Sequence, residues 1–154
     1  MIISLQLSVF MVLLLLFIYT ERILTIPEIL SCWVFFSIVD NEFVNVVYHN
    51  LKAIEEVKTI TKYWASIIHF QLTSPILVMW FLQFYCGRRS VLARILLLAV
   101  WPVFFTAEEV ALQSFGYLKF NHWNVLFSLI HWLSILVIVL AFLSFFRKNL
   151  HAER

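Results

Sequence analysis

Five long apolar stretches, separated by short polar breaks, dominate the chain: residues 2–19, 26–48, 64–86, 93–116 and 124–146. Each runs on without strict apolar–polar alternation, which fits α-helices of bilayer-spanning length and speaks against a membrane β-barrel. The pattern therefore predicts an all-α protein, a five-helix transmembrane bundle in a single integral membrane domain covering residues 1–154. Its competitor is a four-span arrangement in which the second stretch fails to cross.

The breaks carry helix signals. Thr25-Ile26-Pro27-Glu28 reads as a helix start, with Thr25 as cap, Pro27 in the first turn and Glu28 closing a capping box. The charged segment Leu51–Tyr63, LKAIEEVKTITKY, places Ile54, Val57 and Thr61 on one face with Trp64, and spaces Glu55 and Lys58 for pairing. It predicts a short helix lying in the headgroup layer, or else a solvated connector. Ser74-Pro75 interrupts the third stretch, Gly87-Arg88-Arg89 turns into the fourth, and Pro102 leaves the Leu98 carbonyl without its donor, which predicts a kink. The first stretch lacks basic residues in front of it and a small-residue cleavage site behind it, so it reads as an uncleaved helix rather than a signal peptide.

Composition sharpens this picture. The chain of 154 residues is 63% hydrophobic and 13% charged, about half the charge of an ordinary soluble domain. A net charge of +2 gives no footprint for nucleic acid, and no cofactor motif is present. The expected partners are the lipid bilayer and a second copy or another membrane protein. Cys32 and Cys86 fall near one end of the bundle, where buried or reduced thiols are expected rather than a disulfide.

The 11 Lys and Arg divide by side: five crossings put Arg22, Arg88, Arg89, Arg94, Arg147, Lys148 and Arg154 on one face and Lys52, Lys58, Lys62 and Lys119 on the other. The positive-inside tendency then predicts a cell-membrane protein with its N-terminus outside and its C-terminus in the cytoplasm. With that topology, a rise of about 1.5 Å per residue places Asp40 and Glu108 roughly 21 Å above the inner boundary of a core about 30 Å thick. His69 and His131 enter the same layer from outside.

Polar groups at that depth are the candidate chemistry. Asp40, Glu42, Asn45, His69, Glu108, Glu109, Gln113 and His131 form the candidate polar or ion site, with no catalytic residue assigned and no metal specified. Asn41, Asn45 and His49 follow a four-residue spacing, and Glu42 leans toward that stripe. Glu108 and Glu109 point about 100° apart on a helix; Glu109 is expected to face the bundle because Phe105 and Gln113 extend its stripe. Buried carboxyls need a proton, a cation or a hydrogen-bond network. The bland alternative is equally physical: interhelical polar contacts are ordinary structural glue, and His69 and His131 can simply donate to backbone. Trp64 and Trp123 suit the outer aromatic belt; Trp33, Trp80, Trp101 and Trp132 suit bundle packing.

Two resemblances accompany these readings. Glu109, Gly116 and Trp123, an E-x6-G-x6-W pattern, resemble the C-terminal half of a family of small multi-pass membrane proteins of endospore-forming bacteria. The likeness extends to Asp40, Pro75 and the link GRRSVLARIL, covering most of Ser37 to Lys148. Asn41 and Glu42 stand where members of that family often have aromatics. No activity carries over with this likeness. Glu108-Glu109 and Phe127…His131 also resemble the E-E-x-x-x-R and F-x-x-x-H motifs of CAAX-type intramembrane glutamate proteases. Gln113 stands where that pattern has Arg, and no later transmembrane histidine follows. The function expected is a multi-pass membrane protein whose polar cluster stabilises the bundle or binds a proton or cation; a small coupled transporter or channel subunit, and a glutamate-dependent intramembrane hydrolase, are its alternatives.

Overall fold

The computed structural model describes residues 2–56 and 59–152. Helix α1 covers Ile2–Tyr19, α2 Ile26–Asn50, α3 Ile60–Gly87 and α4 Val91–Ser114; α5 covers Val125–Ala152. Two three-residue strands, β1 (Ile54–Glu56) and β2 (Leu118–Phe120), complete the described chain. The architecture is an all-α bundle. Helices α2 to α5 are each long and apolar enough to cross a membrane, while the apolar stretch Gln6–Tyr19 of α1 is shorter. The second segment, whose failure to cross was the four-span alternative, is itself long and apolar enough to cross.

The bundle is built on α3. Two-thirds of its apolar window is buried (67%), against 17 to 33% for the other three long helices. Helices α1, α2 and α4 pack on it, and α5 closes the remaining side against α2 and α4. Small side chains allow the close approach: Ala65, Ser66, Thr73 and Ser74 are all buried on α3. The main core joins Cys32 and Phe36 of α2, Val78, Met79, Phe81 and Leu82 of α3, and Leu136 and Val139 of α5. Outward faces stay apolar. Leu30, Val34 and Ile38 run down α2 with about 60% of their surface uncovered (61, 58 and 58%), the arrangement expected where lipid replaces water as solvent.

Helix ends follow their local sequence. Thr25 starts α2 as predicted: its amide donates to Glu28 Oε2 at 2.7 Å, and Pro27 lies in the first turn. Gly116 ends α4 in the left-handed region (φ 69°). The Gly116 amide bonds to the Gln113 carbonyl and the Tyr117 amide to the Leu112 carbonyl, both at 2.9 Å, which is a Schellman closure. Pro102 is contained within α4, which runs unbroken past it.

Two turns are wound wider than an α-helix. Residues Asn45–Asn50 finish α2, and His69–Thr73 interrupt α3, as π-helical segments. The second lies directly before Ser74-Pro75, with the Ser74 amide bonded five residues back to the His69 carbonyl. Pro75 has no amide to offer, and its ring would collide with the carbonyl four residues earlier; the wider turn moves that carbonyl aside.

The expected headgroup helix over Leu51–Tyr63 is not what the chain forms. Ile54–Glu56 pairs antiparallel with Leu118–Phe120, setting Ile54 opposite Phe120 and Glu55 opposite Lys119. The Ala53 carbonyl accepts the amides of Asn121 and His122 at 2.9 and 3.3 Å, and α3 already begins at Ile60. Ile54, buried with Val47, Tyr48, Phe70 and Leu118, roofs a second small core at this end of the bundle. A β-branched residue with a pairing partner and a hydrophobic floor prefers the strand. Val57 and Lys58, and with them the expected Glu55–Lys58 pair, lie outside the described residues. Both cysteines are free, as expected.

Candidate functional site

Four helices bring polar side chains to one level beneath the two-stranded cap. Asp40 comes from α2, His69 from α3, Glu108 and Glu109 from α4, and Ser128, His131 and Trp132 from α5. Asp40, His69, Glu109, Ser128 and His131 are buried, Asp40 with only 3% of its surface free and Glu109 with 5%. Glu108 lies 3.6 Å from His69, and Glu109 bonds Trp132, so several of these side chains come together in the bundle.

Glu109 is the hub. Trp132 Nε1 donates to its Oε1 at 3.0 Å, and the fully buried Ser128 hydroxyl lies near the carboxyl. Ser128 in turn accepts Trp123 Nε1 at 2.8 Å. The indole of Trp132 is fixed by stacking on Phe105 at 4.2 Å. Glu109 Oε2 has no hydrogen-bond partner. The Asp40 and Glu108 carboxyls both lie within electrostatic range of Glu109, and no basic side chain forms an ion pair with Asp40 or Glu109 among the described residues.

A second arm leaves from Glu108, whose side chain is 27% exposed. Its Oε1 lies 3.6 Å from His69 Nδ1, and His69 Nε2 lies 3.4 Å from Ser74 Oγ. The π turn that begins at His69 sets this position, so Pro75 shapes the site from outside it. His131 is held differently: it stacks face to face on Phe43 at 3.3 Å, and neither ring nitrogen has a hydrogen-bond partner. Thr73 and Thr106 also keep buried hydroxyls without partners around the cluster.

Three expected members do not join. Glu42, Asn45 and Gln113 are exposed. The π turn that starts at Asn45 breaks the four-residue spacing on which the α2 stripe rested. Gln113 is the second-to-last residue of α4 and is exposed there. Glu109 does face the bundle, as its partner Phe105 implied, while the Gln113 half of that argument fails. Of the α2 amides, only Asn41 reaches across, accepting Gln71 Nε2 at 2.8 Å on the exposed side.

Sequence reasoning passed over Ser128 as a polar group and took Trp132 for packing alone. The signal was available: both lie with His131 within about one turn on α5. It also passed over an ion pair at the opposite end, where Arg147 Nε contacts Glu28 Oε1 at 2.6 Å and Arg147 Nη1 lies 3.7 Å from Cys86 Sγ. Nearby, Gln83 bridges the α1–α2 link, accepting the Leu24 amide at 3.3 Å and donating to the Glu21 carbonyl.

Among the described residues, no three His, Cys, Asp or Glu side chains are grouped to hold a metal ion. Comparison with protein-family models, curated proteins and solved structures found no match.

Proposed function

We propose that the chain is a multi-pass protein of the cell membrane, N-terminus outside and C-terminus cytoplasmic, whose outer-leaflet carboxyl centre holds one exchangeable proton between Asp40 and Glu109. The carrying observation is the burial of these two acids, from different helices, within repulsive reach of each other and without a basic partner among the described residues. Two negative charges so placed in a low-dielectric interior repel strongly, and sharing a proton removes the conflict. The Trp132–Glu109 bond fastens α4 to α5, and a proton held between the two acids would tie α2 to them as well. The membrane placement rests on the four long apolar helices and on the concentration of arginine at one end of them.

The likeness to the small multi-pass family belongs to this reading. Its three pattern residues are physically linked here: Glu109 neighbours Ser128, Ser128 accepts Trp123, and Gly116 ends the helix that carries Glu109. The hydrolase alternative has less support. A water-activating Glu–His couple needs the two side chains within hydrogen-bond reach, yet Glu109 bonds Trp132 and His131 lies against Phe43.

Reconstituted vesicles carrying an internal pH dye test the assignment. If the proton moves through the protein, an imposed pH gradient collapses with native protein and persists with Glu109→Gln and Asp40→Asn. If it is held statically, the gradient persists for all three, and the two variants differ from native protein only in thermal stability. Native and variant proteins alike in both flux and stability would refute the proposal.

A further inference from the structure

Above the cluster, α1, the start of α3 and the end of α4 leave a cavity of about 430 Å³, and two opposite charges line it without meeting. Lys62 stands on one wall and Glu108 on another; among the described residues no ion pair joins them. Lys62 is anchored rather than free to swing, because its Nζ donates to the Gly116 carbonyl at 2.8 Å and lies 5.4 Å from the centre of the Tyr117 ring. An ammonium has three donors, so this anchoring leaves capacity for a second acceptor. Glu108, with 27% of its side chain exposed, lines the cavity while its Oε1 lies 3.6 Å from His69 Nδ1. Ala111, Leu112 and Phe115 add apolar lining to the cavity, and Phe115 is 73% exposed.

A cation and an anion held apart across an apolar-walled space match a ligand that carries both charges and a hydrocarbon tail. We infer that this cavity is a binding site for an ethanolamine phospholipid of the outer leaflet. Its phosphate meets Lys62, its ammonium meets Glu108, and an acyl chain leaves along Leu112 and Phe115. Charge complementarity decides the occupant: an anionic glycerol lipid answers Lys62 but presents nothing to Glu108. The tail decides the source, since a soluble headgroup leaves the Ala111–Leu112–Phe115 wall uncovered. This inference rests on the membrane placement proposed above.

The test is native mass spectrometry of the full-length protein released from detergent, with phosphatidylethanolamine, phosphatidylglycerol of the same chains, or O-phosphoethanolamine added. The native protein is expected to retain the ethanolamine lipid about tenfold better than the glycerol lipid, the effect of one charge-assisted contact, and to retain no free headgroup. Glu108→Gln should bring the ethanolamine lipid down to the glycerol level, Lys62→Gln should weaken both, and Leu112→Trp should fill the space and abolish both. Equal retention of the two lipids by native protein overturns the proposal without recourse to any variant. So does headgroup binding as tight as lipid binding, or a Glu108→Gln protein with unchanged preference. Alkaline carbonate separates the underlying premise: protein washed from the membrane refutes the placement, whereas lipid-blind protein that resists extraction refutes the cavity assignment alone.

Discussion

Replacing Trp132 by Phe removes one hydrogen-bond donor from the centre together with part of a buried ring. The benzene ring can keep the stack on Phe105, now at 4.2 Å, but Glu109 Oε1 loses the indole that donates at 3.0 Å. Because Glu109 Oε2 has no partner either, the variant leaves both oxygens of a buried carboxyl without the indole's support. Interhelical hydrogen bonds in membrane bundles average about 0.6 kcal/mol and reach about 1.7. Bonds to charged groups are worth about 1.5–3 kcal/mol in soluble proteins. A carboxyl 5% exposed, near a second acid, belongs where these ranges meet, so the expected coupling is about 1.5 kcal/mol. The lost part of the indole adds a packing cost, which a double-mutant cycle with Glu109→Leu subtracts. Unfolding in mixed micelles titrated with dodecyl sulfate reads the four stabilities. A coupling below about 0.3 kcal/mol, the ordinary scatter of independent sites, would refute the view of Trp132 as a donor to the hub.

Three further outcomes follow from the same geometry. Arg147→Ala takes the partner from the buried Glu28 carboxyl, and should cost about 1–2 kcal/mol after discounting for the arginine's one-third exposure (36%). Arg147→Lys should recover only part of that, because Lys lacks the guanidinium fork that reaches both Glu28 and Cys86; thermal melts in detergent decide it, and equal melts for all three proteins would contradict the pair. Gly116→Ala places a Cβ at φ 69°, 3.4 Å from Lys62 Nζ, and should destabilise by about 1 kcal/mol, with Gly116→Asn milder, in the same melts. Thr106→Val deletes a buried hydroxyl that has no partner, and should be neutral or stabilising by up to about 1 kcal/mol; a loss of stability would mean that the hydroxyl has a role in the cluster.

Helix rise alone made much of the centre legible. Residue number converts directly to distance along a helix, which was enough to expect Asp40, His69, Glu108 and His131 near one another, and all but Glu108 are buried. Facing was harder. Asn45 and Gln113 were assigned inward by α-helical periodicity, but α2 changes to a π turn at Asn45, and α4 runs out just past Gln113. The strands were illegible for another reason: three residues on each side, separated by more than sixty positions, give no local period to detect. The Glu28–Arg147 pair joins opposite ends of the chain, so only the fold brings it together. The central place of α3 also escaped a hydropathy reading, because Ala65, Ser66, Thr73 and Ser74 lower its apolar score while allowing the other helices to approach it.

The shared proton is what this account depends on, and the infrared carboxyl band of the reconstituted protein, in buffer free of metal cations, tests it most directly. A protonated carboxyl band that both Asp40→Asn and Glu109→Gln shift or weaken is the expected result, since each acid is one of the two partners of the shared proton. A spectrum that both substitutions leave unchanged would contradict it.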